Sequence, residues 1–373
     1  MRTTTIELPA PAPGTARHLV VHAFGAEGAR PKAYLQAALH ADELPGVLVL
    51  RQLLPMLEAA EREGRLRGQL VIVPMANPIG TGQSLMQSHL GRYDLARMTN
   101  FNRGWPDFAP ALIERLAGRL GGVAAENTAL ARAVLRELAD AMPARDENRA
   151  LRRALCTLAV DADLVLDLHC DLEAAVHLYL GAPLWPDAAD LAALIGAEAV
   201  MLDEASGGHP FDEVFSAPWW QLARAYPDNP VPQACLSGTL EYRGLRDVEE
   251  PTAEADAVAL LQFLVRRGVV DGEPAPLPAA RCEATPLAGA AMIEAPIGGI
   301  VLFDVVPGQT VAAGQRVARL VDPLQPGEVA VTSPASGRVF ARCLRGFVRA
   351  GDVVVKVAGR DAGPRPTGSL LPN

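Results

Sequence analysis

Lysine is nearly missing from this chain. Of 34 basic residues among 373, only Lys32 and Lys356 are lysines. With abundant alanine and glycine, we read the arginine preference as genomic base composition and not as function. Positive charge is also outweighed: the net charge is −9. A nucleic-acid or anionic-membrane partner needs a basic surface, so neither is expected. The five cysteines, at 156, 170, 235, 282 and 343, are scattered, odd in number and free of any CxxC pair. That excludes a disulfide framework and fits a reducing cytoplasm. No apolar run approaches the roughly 18 residues of a membrane-spanning helix. The opening MRTTTIELPAPAPGT has no apolar core for a secretory signal. HExxH is absent too, so the helix-borne zinc pattern does not apply.

What is present fits a soluble protein with a large core, long enough for two domains: 50% of residues are apolar and 21% charged. HLVVHAF (18–24), AYLQAAL (33–39), QLVIVPMAN (69–77) and ADLVLDLHC (162–170) are short, apolar and bounded by breakers, and read as buried strands. Helix-period segments lie between them at 45–63, 126–142 and 148–158. A further strand is expected within 231–242 and a closing helix over 253–267. This alternation predicts an α/β fold with helices on both faces of a sheet. Residues 1–16, rich in Pro and Thr, are expected at the periphery.

The character changes near residue 271. DGEPAPLPAAR (271–281) reads as a linker, and beyond it come short β runs punctuated by glycine. The tail repeats itself. APIGGIVLF (295–303) matches SPASGRVFA (333–341), and VAAGQRVARL (311–320) matches VRAGDVVVKV (348–357). Two such halves predict a small pseudo-symmetric β-sandwich that resembles the biotinyl/lipoyl barrel-sandwich family. Carriers of that family display a lysine on the hairpin between the halves. The corresponding VDPLQPGEV (321–329) has none, and Lys356 lies in the last strand instead. The expected division is a catalytic domain over 1–271, a β domain over 282–360 and a tail over 361–373.

Three short motifs carry chemistry. His40 and Glu43, in ALHADELPG (38–46), lie three apart where a predicted strand gives way to a helix. His169 ends another predicted strand, with Asp167 two positions before it on the same face. His and Glu are zinc ligands, and a hydrolytic zinc site needs three of them and one open position. Ligands also gather at strand C-termini in open α/β sheets. Asp167 could share the face or act as an outer hydrogen-bond acceptor. The stretch GRYDLARMTNFNRGWPD (91–107) concentrates Arg92, Arg97, Asn102 and Arg103. An adjacent Asn–Arg pair suits a carboxylate; a solvated loop is the other reading. Glu241, in SGTLEYRG (237–244), could activate a metal-bound water or simply pair with Arg243 or Arg246.

In order along the chain, HADE, NP (77–78), RYDLARMTNFNR, DLHC and TLEYRG resemble the succinylglutamate desuccinylase/aspartoacylase family of the zinc carboxypeptidase clan. The resemblance spans about residues 30–270, and the β tail matches an extra domain of some bacterial members. It implies a zinc-carboxypeptidase-like mixed sheet flanked by helices, plus a small C-terminal all-β barrel-sandwich domain. It implies one Zn2+ per chain on His40, Glu43 and His169. Glu241 matches the general base, Arg92 the arginine that polarises the scissile carbonyl, and Asn102 and Arg103 the pair that grips a substrate carboxylate. Asn100 falls on the first Asn of the NxNR form. The sequence departs from the family where Leu39 and Ala41 replace the usual glycines around His40. Arg97 replaces an acidic residue, and FNRGWPD replaces the usual NR-x-FPG.

The expected function is zinc-dependent hydrolysis of the amide bond of a small-molecule N-acyl amino acid or similar acylated amine. The alternatives are a metallocarboxypeptidase acting on peptides and a non-catalytic binding or assembly protein that uses the β domain. The tail is expected to cover the site mouth or to build a homo-oligomer interface. His177 is read as a sheet histidine near the site, His209 as a loop residue, Trp219 and Trp220 as packing residues and Cys170 as a small buried filler. Tyr242 and Tyr226 are the weak candidates for a substrate tyrosine.

Overall fold

The structure, a computed structural model, describes residues 1–361; of the expected tail, residues 362–373 lie outside them. A nine-stranded mixed sheet organises the chain. Its order is Arg2–Glu7, His18–Phe24, Gln69–Val73, Lys32–Ala37, Leu164–Asp171, Leu236–Gly244, His177–Gly181, Ala199–Asp203 and Ala284–Pro286. The four strands from Gln69–Val73 to Leu236–Gly244 run parallel to one another. Parallel strands are covered on both faces, which is why these segments read as continuous apolar runs. Within them the side chains alternate. Leu35, Leu166 and Leu168 face one core with the helices Pro45–Arg62 and Glu250–Arg266. Tyr34 and Val165 face the other, with Ala109–Leu116, Ala124–Asp140, Glu147–Ala159 and Glu213–Ala225.

The helix Pro45–Arg62 shows why the sequence was readable here. Pro45 opens it, where a missing N–H costs nothing. Val49, Leu50, Leu53, Leu57 and Ala60 are buried at three- and four-residue spacing. Just past its end, Gly64 takes φ +69°, a left-handed stop. Gly46 lets the first turn press on the sheet: a Cβ there would lie 2.7 Å from Leu168 Cβ. The helix therefore leaves the sheet immediately after His40 and Glu43 with its register fixed.

The N-terminal segment is not merely peripheral. Arg2–Glu7 pairs antiparallel with His18–Phe24 through all six residues and forms the sheet edge. Its side chains are almost all exposed, so no hydrophobic alternation marks it. The tail forms two antiparallel sheets that share one core. One contains Gly299–Phe303, Arg316–Val321, Val329–Thr332 and Phe347–Val348. The other contains Ala290–Glu294, Gly337–Arg342 and Val353–Gly359, joined by Thr310–Val311. Val301, Val317 and Leu320 of the first meet Ile293, Val339 and Val355 of the second. Matched glycines of the repeat, Gly314 and Gly351, both adopt positive φ, +80° and +86°. Strands are also exchanged between the two regions. Ala284–Pro286 completes the large sheet beside Ala199–Asp203, and Glu173–Ala174 pairs with Gly337–Arg342 of the tail.

At the N-terminal edge of the parallel strands, charge is buried. Asp161 accepts from Lys32 Nζ and Arg136, and Asp163 accepts from the Lys32 backbone N–H at 2.6 Å. Burial opposes ionisation of Asp161, but Lys32 and Arg136 outweigh it and hold the carboxyl below the ordinary carboxylate range. A depressed carboxyl contributes stability above its unfolded pKa and loses it as pH falls through the folded value. Asp161→Asn should therefore destabilise the protein at neutral pH by about 2–3 kcal/mol. That is the buried-pair magnitude discounted for the solvent-exposed arginines. Denaturant unfolding should show this gap shrinking as pH drops below the carboxylate range; a gap that is flat with pH would exclude the charge explanation.

Candidate metal centre and its pocket

Three neighbouring strands bring the chemistry together. His40 and Glu43 follow Lys32–Ala37, His169 lies near the end of Leu164–Asp171, and Glu241 stands beside His169 in the register with Leu236–Gly244. All are at C-terminal ends, where the dipoles and loops of an open sheet leave a crevice. The candidate ligand atoms of His40, Glu43 and His169 lie within 4.8 Å of one another, and all three residues are buried. His40 Nδ1 is 2.8 Å from Glu43 Oε1, and His169 Nδ1 is 2.7 Å from Glu43 Oε2.

The outer nitrogens decide what the inner ones can do. Asn100 Oδ1 accepts from the Asn102 backbone N–H at 2.8 Å, so it is also the acceptor for His40 Nε2–H at 2.8 Å. Asp167 Oδ2 accepts from His169 Nε2–H at 2.9 Å. With each Nε2 engaged from behind, both rings are held with Nδ1 turned toward Glu43. Asp167 is itself fixed by Gln36 Nε2 at 3.0 Å, and Gln36 by Tyr34 Oη at 2.7 Å. Burial opposes charge on His169, yet Asp167 and Glu43 outweigh it and raise its pKa well above the ordinary value. The carboxylates that draw a positive charge there also suit a divalent cation. Two imidazole nitrogens and one carboxylate, each anchored from behind, fit a divalent ion of the zinc type.

The turn before His40 manages without the usual glycines. The positive φ falls on Ala38, at +56°, and Leu39 and Ala41 stay buried. The close approach is transferred to the facing loop. Ala41 N–H donates to Gly91 O at 3.0 Å, and a Cβ on Gly91 would lie 2.1 Å from Asp42 N. Next to Gly91, Arg92 reaches Glu43 Oε1 at 3.1 Å.

A pocket opens above the cluster, lined by Arg92, Asn102, Arg103 and Glu241 among others. Asn102 Oδ1 accepts from Phe211 N–H at 2.8 Å, which ties the 204–212 loop to the pocket wall. Arg103 donates to the Asn102 carbonyl at 2.8 Å. Glu241 Oε2 is buried and has no hydrogen-bond partner among the described residues. Burial, then the charge of Glu43, push its carboxyl up to about 8. It does not pair with Arg243, which forks onto Asp256 at 2.6 and 2.9 Å. A register shift between Glu241 and Gly244 separates the two residues, as bulges do when they re-aim a side chain.

Other expected residues fall into place or out of it. Arg97 pairs with Asp94 and Asp146, away from the pocket lining. His177 is fully buried, its Nδ1–H donating to Ala175 O. His209 sits in the 204–212 loop, of which Ser206 and Pro210 reach the pocket. Trp219, Trp220 and Cys170 are buried. Tyr242 is buried in the core and Tyr226 bonds Ile113 O, so neither faces the site. Tyr179 does line it, and sequence reading missed it. The signal was period two: His177 and Tyr179 share a face of one strand. Asp171 and, from the tail, Leu287 and Lys356 also line the pocket.

The comparisons agree with this geometry. The family described as the succinylglutamate desuccinylase/aspartoacylase catalytic domain matches residues 29–223. Among solved structures, a protein of that family from Shewanella amazonensis is 25% identical with a TM-score of 0.85, over 96% of this chain and 98% of its own. A second from Shewanella frigidimarina is 24% identical with a TM-score of 0.85, over 96% and 97%. The ectoine utilization protein EutE of Ruegeria pomeroyi shares the fold at 18% identity and a TM-score of 0.67, over 96% and 95%. No curated protein matches significantly. No helix among the described residues is long and apolar enough to cross a membrane. A match over more than half the chain, with the His40–Glu43–His169 cluster inside it, makes this chain a member of the succinylglutamate desuccinylase/aspartoacylase family.

Proposed function

We propose that the protein is a zinc-dependent amidohydrolase that removes the acyl group from an N-acyl amino acid or similar small acylated amine. The observation that carries this reading is the buried His40–Glu43–His169 cluster opening on a pocket where Glu241 Oε2 has no hydrogen-bond partner among the described residues. When bound at His40, Glu43 and His169, zinc would supply a water of lowered pKa and a Lewis acid for the carbonyl. Glu241 takes the proton of the attacking water and returns it to the departing nitrogen. Arg92, already held at Glu43, offers its guanidinium to the oxygen that gains charge as a donor positioned in advance. Asn102 and Arg103 hold a substrate carboxylate, and Tyr179 lines the same pocket. The small-molecule reading is favoured over a peptidase because Leu287 and Lys356 of the tail reach into the pocket. A screen of N-acetyl and N-succinyl amino acids against blocked dipeptides separates the two.

Metal analysis of the purified protein should find about one zinc per chain. His40→Ala should lose it while keeping a native circular-dichroism spectrum. A folded wild-type chain that takes up no divalent metal would remove the basis of the proposal. Glu241→Gln should retain the metal and lower kcat by on the order of 10²–10⁴ with little change in KM. Parental turnover in that variant would mean that another group is the base.

A further inference from the structure

Lys356 belongs to the tail, yet it stands in the wall of the catalytic pocket. It lies in Val353–Gly359, and its Nζ donates to Asp171 Oδ2 at 2.5 Å. Asp171 ends the strand that carries His169, and its other oxygen accepts from Leu172 N–H at 2.7 Å. Both side chains are largely withdrawn from solvent, at 15% and 12% exposure. Burying such a pair is costly unless the remaining donors find work. An ammonium has three donors, and among the described residues Asp171 is the hydrogen-bond partner of one.

The repeat makes the placement pointed. Lys356 is the pseudo-symmetric mate of Arg319 in the first half of the tail. Arg319 binds Glu328 and Asp304 on the tail's own surface. The second half instead carries a lysine, one of two in the chain, and directs it across the boundary into the pocket. Arg92 and Arg103 line that pocket from the catalytic region. Lys356 adds a third cation, from a separate part of the fold.

We propose that Lys356, steadied by Asp171, is a specificity-determining residue that binds a carboxylate of the substrate lying away from the scissile amide. This rests on the deacylase reading above. The β domain is then part of the substrate site and not only a cover. Lysine suits the task as a compact charge whose donors rotate toward an anion.

The test uses zinc-loaded full-length protein and two matched substrate pairs that differ by one charge. The pairs are N-acetylglutamate with N-acetylglutamine, and N-succinyl-alanine with N-succinamoyl-alanine. Wild type should prefer the carboxylate member of at least one pair by about tenfold or more. Lys356→Met should abolish that preference, mainly through the KM of the carboxylate member. Lys356→Arg should keep most of it. Asp171→Asn/Lys356→Met removes both charges together, so no buried carboxylate is stranded, and should also show no preference. Equal losses on both members, or an intact preference in Lys356→Met, would overturn the proposal. Calorimetric binding of the same compounds separates the two claims. Carboxylate-selective binding that depends on Lys356 but comes without hydrolysis overturns the deacylase reading alone. Wild-type binding with no carboxylate preference overturns the role of Lys356.

Discussion

One buried carboxylate governs the centre of this molecule. Glu43 is 4% exposed, and each of its oxygens faces the Nδ1 of a different histidine. A carboxylate withdrawn from water must be compensated where it lies. Its compensation comes from His40, His169, Arg92 and the backbone N–H of Cys170. These groups belong to three separate segments, so the order of the parallel strands and the loop at Gly91 have to be correct together. The Tyr34–Gln36–Asp167 chain extends the same demand deeper into the sheet.

Around that centre the charges are sorted. Glu43, Asp171 and Glu241 lie close enough for each to act on Arg92, and Arg92 is stabilised as a cation by all three. Glu241 is disfavoured as an anion by its burial first, and then by the charges of Glu43 and Asp171. Such opposed pressures on neighbouring titratable groups are characteristic of reaction sites and rare in cores, where charge is simply avoided. The pocket thus draws its character from a small volume in which Glu43, Asp171 and Glu241 lie among Arg92, Arg103 and Lys356.

Much of this was legible in the sequence, for definite reasons. The inner strands are apolar on both faces and bounded by breakers. Helix Pro45–Arg62 carries its start, period and stop in plain view. His40, Glu43 and His169 were visible because candidate ligands at strand ends sit beside breaks in the apolar pattern. The strand Arg2–Glu7 was not, because backbone pairing without side-chain burial leaves no periodic trace. Asp171, Tyr179 and Lys356 were not, because their meeting depends on sheet order and on the tail folding back. The missing glycines around His40 raised a real question whose answer lies 50 residues away, at Gly91, where only a tertiary contact could place it.

The linker at 271–281 marks a change of composition, but hydrogen bonds ignore it. The tail lends Ala284–Pro286 to the large sheet, and the large region lends Glu173–Ala174 to the tail. Either piece alone would end in a bare strand edge, the kind of surface that sticks to its neighbours. The two regions are therefore poor currency for domain shuffling. A gene that borrowed the catalytic region without the tail would inherit an unfinished sheet and a pocket wall lacking Leu287 and Lys356.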